Sequence, residues 1–276
     1  METAFSGQAV GRPILGTPDT IKSFDEATIR AFLAREYTPG KMVLAAAGDV
    51  DHAQIVDMAE RLFGGMPAIA PQQPESGRYT GGERRISRKL EQANLVLGLP
   101  GLSFKDPGYY AAHLFAHMLG GGLTSRLWHE VRETRGLAYS IDSFHWPFSD
   151  CGLFGIGAGT AGSDVRELMD VTLACMAQAT HDISEIELVR AKAQMKVALL
   201  TALETPGGRI ERVARQLLSW GRVVASEEIV RKVDALEVEH VREAGRRLLP
   251  SAPTLAAIGP IKGLPSLDSI ASGLQG

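Results

Sequence analysis

A chain of 276 residues, with 45% hydrophobic and 22% charged side chains, has the composition of an ordinary globular protein and exceeds what one small core needs, which excludes global disorder and points to two units. The net charge of −3 gives no electrostatic reason to expect a nucleic-acid partner or an anionic membrane. Cys151 and Cys175 stand in no CxxC pair and cannot build a disulfide framework; no stretch has the length of a membrane span, and residues 1–20 lack the charged-then-apolar order of a signal peptide.

Along the chain, Thr17-Pro18 reads as an N-cap followed by proline at the first helical position. Ser23 with Glu26 predicts a capping box ahead of "FDEATIRAFLAREY", a helix ending before Pro39. "KMVLAAAGDV" predicts a short strand buried on both faces, because its apolar residues do not alternate. Asp51 is placed to cap "HAQIVDMAERLFGG", which Gly64 stops. Residues 66–84 take on a linker composition, with Pro67, Pro71, Pro74, Gly77, Gly81 and Gly82 in one run. A domain boundary is expected there, between a first domain at 1–65 and a second at 85–276.

Beyond it, "RRISRKLEQANLVLGLPG" reads as strand. Helices are expected over 107–119 and from about Thr124 to Arg135, separated by Gly120-Gly121-Gly122. "GLAYSIDSFHW" and "CGLFGIGAGT" are expected to form a hairpin through residues 147–150. Helices follow near 164–179, 185–203, 207–220, 226–232 and 237–248, with Ser184/Glu187 boxing one start and Pro206 opening another. "PTLAAIGPI" is a last strand. Strands followed by a run of helices give an α+β fold, with an antiparallel or mixed sheet covered by helices. The arginines of 209–247 alternate with acids at helical spacing and read as solvated faces.

An internal echo bears on domain organisation. "PGKMVLAAAGDV" (39–50) aligns with "PSAPTLAAIGPI" (250–261): Pro39 meets Pro250, Leu44 meets Leu255, Ala45 and Ala46 meet Ala256 and Ala257, and Gly48 meets Gly259. Each copy follows an amphipathic helix of similar length. A first unit as large as the second and closing near 50 would have begun upstream of Met1, so the chain is expected to start partway through a truncated first domain.

"MLGGGLTSRLWHEVRETRGLAYS" resembles the second-domain signature of the pitrilysin and mitochondrial processing peptidase family of zinc metallopeptidases, whose active-site helix carries H-x-x-E-H. The matching elements are Gly120–Gly122, Ser125-Arg126-Leu127, Val131-Arg132-Glu133 and residues 135–140; "PILGT" (13–17), "AAAGDVDH" (45–52) and "RAKAQMKVALL" (190–200) support them. The brief glycine run is closer to the processing-peptidase β type. The resemblance implies a two-domain architecture, proteolysis of extended peptides or presequences, and a second domain that contributes an Arg and a Tyr seven residues apart. Arg132 and Tyr139 have that spacing. A guanidinium and a phenol can both donate hydrogen bonds to a peptide carbonyl or its oxyanion. Gly120, Gly121 and Gly122 would lie near substrate.

His113 and His117 are four apart on one helix face, but Ala116 stands where H-x-x-E-H needs its glutamate. Hydrolysis also needs a third ligand and a proton acceptor. The pair is therefore read as no metal site, and the zinc expected of the full-length protein as belonging upstream. His52, His129, His145, His181 and His240 look scattered. The expectation is the C-terminal part of a zinc-dependent endopeptidase, inactive by itself, with a peptide or unfolded protein as substrate and a homo- or hetero-dimeric partner. A non-catalytic scaffold subunit of the same family and a plain peptide-binding module are the alternatives. With no export signal, the cytoplasm is the default compartment.

Overall fold

The computed structural model describes residues 1–70 and 74–275, so Pro71 of the expected linker lies outside the described residues. The chain divides into two compact units, one formed by 1–12, 76–194 and 231–276, the other by 13–75 and 195–230.

The larger unit is built on a five-stranded sheet with order β1-β5-β2-β4-β3, where β1 is Gly82–Ser87, β2 Gln92–Pro100, β3 Ala138–Pro147, β4 Gly152–Ala161 and β5 Thr254–Gly259. The β1–β5 pair is parallel and the others are antiparallel, so the mixed α+β class is borne out. The expected hairpin is β3–β4, in register Ile141↔Ala158. The stretch expected as a single strand after residue 84 is two, β1 and β2. β2 shows the alternation of a half-covered sheet: Ala93, Leu95 and Leu97 are buried while Asn94 and Val96 face outward. Against the sheet pack α4 (Tyr109–Gly120) and α5 (Val165–Asp182), with α9 (Val238–Leu248) on α4 and α5, and α10 (Leu267–Leu274) on α5. Phe115 of α4 meets Phe154 of β4 at 5.8 Å between ring centroids, and both are fully buried. Residues 1–12 belong to this packing: Phe5 is buried with its ring edge-on to Tyr79, and Thr80 N–H donates to Ala4 O at 2.8 Å. Tyr79 in turn ties the approach to β1 to the sheet, its hydroxyl 2.7 Å from Thr254 Oγ1 and 3.0 Å from Gly98 O.

The smaller unit carries α1 (Pro18–Ser23), α2 (Glu26–Glu36), α3 (His52–Phe63) and α7 (Pro206–Trp220). Helix α6 (Glu185–Thr201) is divided between the units, α8 (Ser226–Asp234) likewise. Thr17 and Asp51 cap as their sequences predict, and Thr205 caps the helix that Pro206 opens, each side chain accepting the backbone N–H three residues on. The expected Ser23/Glu26 box does not form. Ser23 closes α1, its hydroxyl donating to Thr20 O at 2.8 Å, and Asp25 caps α2 by accepting from Thr28 N–H and O–H. Asp25 stands immediately before the helix, whereas Ser23 is already spent in the preceding one.

The strand expected at 41–50 is also corrected. Residues 42–47 make no ladder hydrogen bonds, and Leu44 is 62% exposed. A strand needs a neighbour to take its N–H and C=O groups, and the described residues of this unit offer none. None of α1, α2 and α3 contributes a buried residue. Gly48 and Gly259 hold φ +132° and +122°, a region that favours glycine. In β5, Leu255 and Ala257 are buried and Ala256 and Ile258 half-buried; at 44–47, Leu44 and Ala46 are exposed and Ala45 and Ala47 half-buried. The two segments alternate alike, and the side chains that β5 hides are the ones this segment leaves bare.

Candidate functional site

Two backbone irregularities bring Arg132 and Tyr139 together. The expected α-helix from Thr124 to Arg135 is, over Trp128–Thr134, a π-helix, a winding that proteins rarely use and that recurs at functional sites. Leu137 N–H donates back to Val131 O at 2.8 Å as the chain leaves it. Tyr139 then follows at the start of β3, where the register with β4 slips: Ala138 pairs with Thr160 and Ser140 with Gly159, so Tyr139 is the extra residue of a bulge. A bulge re-aims a side chain and sits preferentially at sheet edges, and β3 is an edge strand. The outcome is a guanidinium carbon 4.5 Å from the Tyr139 ring centroid and 4.1 Å from that of Trp128. Neither irregularity is visible in the pattern of residues, which reads as ordinary helix and strand.

The hydrogen-bonding capacity of this pair is unspent. Among the described residues Arg132 has only a loose ion pair, 3.8 Å from Glu133, and the Tyr139 side chain stands 77% exposed. Arg126, six residues earlier, is the contrast. Its Nε and Nη2 donate to Glu187 at 2.7 and 2.9 Å, and Nη1 reaches Asp182. Burial would raise the Glu187 carboxyl, but the Arg126 hydrogen bonds and those of Ser184 outweigh it and hold it at about 2. The expected Ser184/Glu187 box is part of this brace.

The glycine run has three separate environments. Gly120 ends α4 against β3, where a β-carbon would stand 2.6 Å from Ser143 N, and Ser143 Oγ donates to Ala116 O. Gly121 caps the helix through its N–H to His117 O at 2.8 Å. Gly122 meets nothing within 4 Å of where a β-carbon would be, and its carbonyl accepts from Ser125 Oγ at 2.6 Å. A cavity of about 480 Å³ opens beside it, lined among others by Leu123, His129, Cys175 and Arg190.

His113 and His117 do not share a site. His117 Nε2 lies 2.8 Å from Gln194 Oε1, whereas the His113 ring stacks on Tyr109 at 6.1 Å. With Ala116 between them and no group of three or more His, Cys, Asp or Glu among the described residues able to hold a metal ion, the residues present do not fit a zinc centre. His145 was not singled out by its sequence position, yet it is 5% exposed and sits 6.5 Å from His113 and 6.0 Å from Tyr109. Its Nε2 lies 3.1 Å from Leu102 N and 3.0 Å from Leu102 O, so it accepts in one tautomer and donates in the other. Nδ1 is buried without a partner. Burial and the neighbouring His113 lower its pKa to about 4, against Leu102 and Asp106, which favour the charged form. Only a side chain three-dimensionally surrounded could reveal this; a lone His in a strand carries no such signal. Cys175 is buried and Cys151 half-buried, both free, with thiols pushed up to about 11 by burial. No helix among the described residues is long and apolar enough to cross a membrane.

Comparison with known proteins places these features in context. Residues 23–195 match the profile of a domain described as "Peptidase M16 inactive domain". The chain is 37% identical over 273 residues to an uncharacterised zinc protease of Streptomyces coelicolor, covering 94% of this chain and 59% of that protein. It is 32% identical over 274 residues to the uncharacterised zinc protease YmxG of Bacillus subtilis, covering 96% and 65%. The chain thus spans about three fifths of the length of these curated relatives. Among solved structures, a chain from complex III2 of Candida albicans, Inz-5 bound, superposes with a TM-score of 0.90 at 24% identity, over 99% of this chain and 68% of that one.

Proposed function

This chain belongs to the peptidase M16 family, and we propose that it supplies the peptide-holding portion of a zinc-dependent endopeptidase, not its metal centre. The observation that carries the reading is the meeting of Arg132 and Tyr139 with their donors unspent. An extended peptide backbone offers carbonyl oxygens at regular spacing, and a cationic N–H donor makes stronger hydrogen bonds to them than a neutral one. Arg132 and Tyr139 would orient and polarise one such carbonyl, with the peptide running along the edge strand β3 and past Gly120, Gly121 and Gly122. The described residues do not fit a zinc site, so zinc in the longer protein would be held by other residues, and this chain alone is expected to be inactive.

The same reading takes 1–65 as belonging to a first domain and 85–276 to a second, with the exception that residues 1–12 group with the sheet-bearing unit and 195–230 with 13–75. The shared alternation and the matching glycines at 48 and 259 support it. The exposed apolar segment at 42–47 then awaits a partner surface, which favours a homo- or hetero-dimer over a free monomer.

The test is binding of a fluorescein-labelled, unstructured 15-residue peptide to the purified chain. Saturable binding that Arg132→Ala weakens about tenfold is expected. Binding indifferent to Arg132→Ala would leave a non-catalytic scaffold subunit as the better reading, and zinc-dependent cleavage by this chain alone would overturn its expected inactivity.

A further inference from the structure

We propose that Trp128 is a positioning residue for Arg132: its indole holds the guanidinium beside Tyr139 while leaving every N–H free for a peptide carbonyl. The proposal rests on the functional reading above and adds a third member to the pair.

An arginine side chain loses much rotamer entropy when it is fixed, so a half-buried arginine in one place implies something holding it. For Arg126 that something is a pair of carboxylates, which consume its donors and cancel its charge. For Arg132 it is aromatic. The Trp128 ring centroid lies 4.1 Å from Arg132 Cζ and that of Tyr139 4.5 Å, while the nearest carboxylate, on Glu133, stays at 3.8 Å from Nε, too far for a hydrogen bond. Held by two rings and by no carboxylate within hydrogen-bond distance, the guanidinium spends none of its five N–H groups on a hydrogen bond among the described residues. Charge and donors are thus both retained in a fixed group.

Trp128 suits this role by its location. It opens the π-helix four residues before Arg132, a separation that puts both on one face, and it is half-buried whereas Tyr139 is exposed. The indole is the anchored wall of the site and the phenol its open one. A substrate that displaced Tyr139 would still meet an arginine held from the Trp128 side.

The experiment uses the full chain and the labelled peptide already described, with Trp128→Phe and Trp128→Leu beside Arg132→Ala. Loss of a stacked indole is expected to weaken binding about tenfold in Trp128→Leu and about threefold or less in Trp128→Phe, which keeps a ring face. In a chain carrying Trp146→Phe and Trp220→Phe, Trp128 is the sole tryptophan, and peptide is expected to shift its emission with Arg132 present and not in Arg132→Ala. A purely structural tryptophan would show neither the Phe rescue nor the Arg132-dependent shift. Parent-like binding by Trp128→Leu, with Arg132→Ala impaired, overturns the positioning role alone; binding indifferent to Arg132→Ala overturns the functional reading beneath it. Should Trp128→Leu not fold, Trp128→Phe and the emission titration decide, and an unmoved emission overturns the proposal.

Discussion

Arg132 faces the ring of Tyr139 at 4.5 Å, although one residue comes from a π-helix and the other from a β-bulge. The contact is with the ring, and the phenol hydroxyl makes no hydrogen bond among the described residues, which separates two contributions that one substitution can divide. Tyr139→Phe preserves the ring against the guanidinium and removes only the O–H. With the side chain 77% exposed, the melting temperature is expected to stay within about 1 °C of the parent. Peptide binding is expected to weaken by about 1 kcal/mol, the worth of one hydrogen bond. Fluorescence anisotropy with a parallel thermal melt checks both; an unchanged affinity would remove the hydroxyl from the site.

His145 predicts a pH dependence of stability. An ordinary imidazole titrates near 6.5, and this one near 4 because it is buried beside His113. Between those values the unfolded chain binds a proton that the folded chain refuses. Stability is therefore complete above pH 6.5 and falls as the pH drops towards 4, by about 3 kcal/mol for a shift of this size. Asp106 and His113 face the same ring, and the orphaned Nδ1 gives the added proton no acceptor. Urea denaturation at pH 7 and pH 4.5 is expected to show the loss, and His145→Gln to remove most of it. An equal slope in both proteins would refute the assignment.

Much of this architecture is legible in the order of residues. The hairpin β3–β4, the helices after residue 164, the caps at Thr17 and Asp51 and the family motif around Arg132 all follow from local chemistry: a turn between alternating runs, a short polar residue before a helix, a fixed spacing. What was not legible depends on neighbours distant in sequence. Leu44 and Leu255 stand in aligned runs, yet one is exposed and the other fully buried, because β5 lies between β1 and β2 and residues 42–47 have no such strands beside them among the described residues. The π-helix and the bulge belong to the same class, since both change how residues are presented without changing which residues they are.

Arg126 ties the approach to the π-helix to the junction of α5 and α6, and its side chain is 17% exposed. Replacing it by Met keeps the aliphatic stem and leaves Glu187 half-buried without its cation. A fully buried pair broken this way costs about 3 to 5 kcal/mol; with Glu187 and Asp182 partly in water, about 2 kcal/mol is expected. The Glu187 carboxyl, held at about 2 in the folded chain, would return towards the ordinary range in the variant. Its stabilising effect is present above about pH 4.5 and lost as the pH falls through 2, so the parent and Arg126→Met should converge in acid. Denaturation curves that stay parallel down to pH 2.5 would contradict this.

Gly120 is a packing glycine before it is anything else. A β-carbon there would sit 2.6 Å from the backbone nitrogen of Ser143 and 2.9 Å from its hydroxyl, and a strand backbone cannot step aside as a flexible side chain can. Gly120→Ala is expected to destabilise the chain by about 2 kcal/mol through overpacking between α4 and β3. Chemical denaturation measures it, and a loss below about 0.5 kcal/mol would mean that α4 retreats from the strand at little cost.

The smaller unit carries the last prediction. Leu44, Val50 and Val56 line an open groove of about 590 Å³ together with Ile55, Ile210 and Val213, and the first three are exposed. Apolar surface of this extent in one place is a site of association, and the backbone of 43–47, unpaired among the described residues, adds hydrogen-bonding groups to it. The 29.6 kDa chain is therefore expected to show an apparent mass in light scattering that rises with concentration. Leu44→Ser with Val56→Ser should lower it, because neither side chain is part of a buried core and both lose their attraction for a second surface. A single 29.6 kDa species at every concentration, unaltered by the double substitution, would show that this face stays solvated.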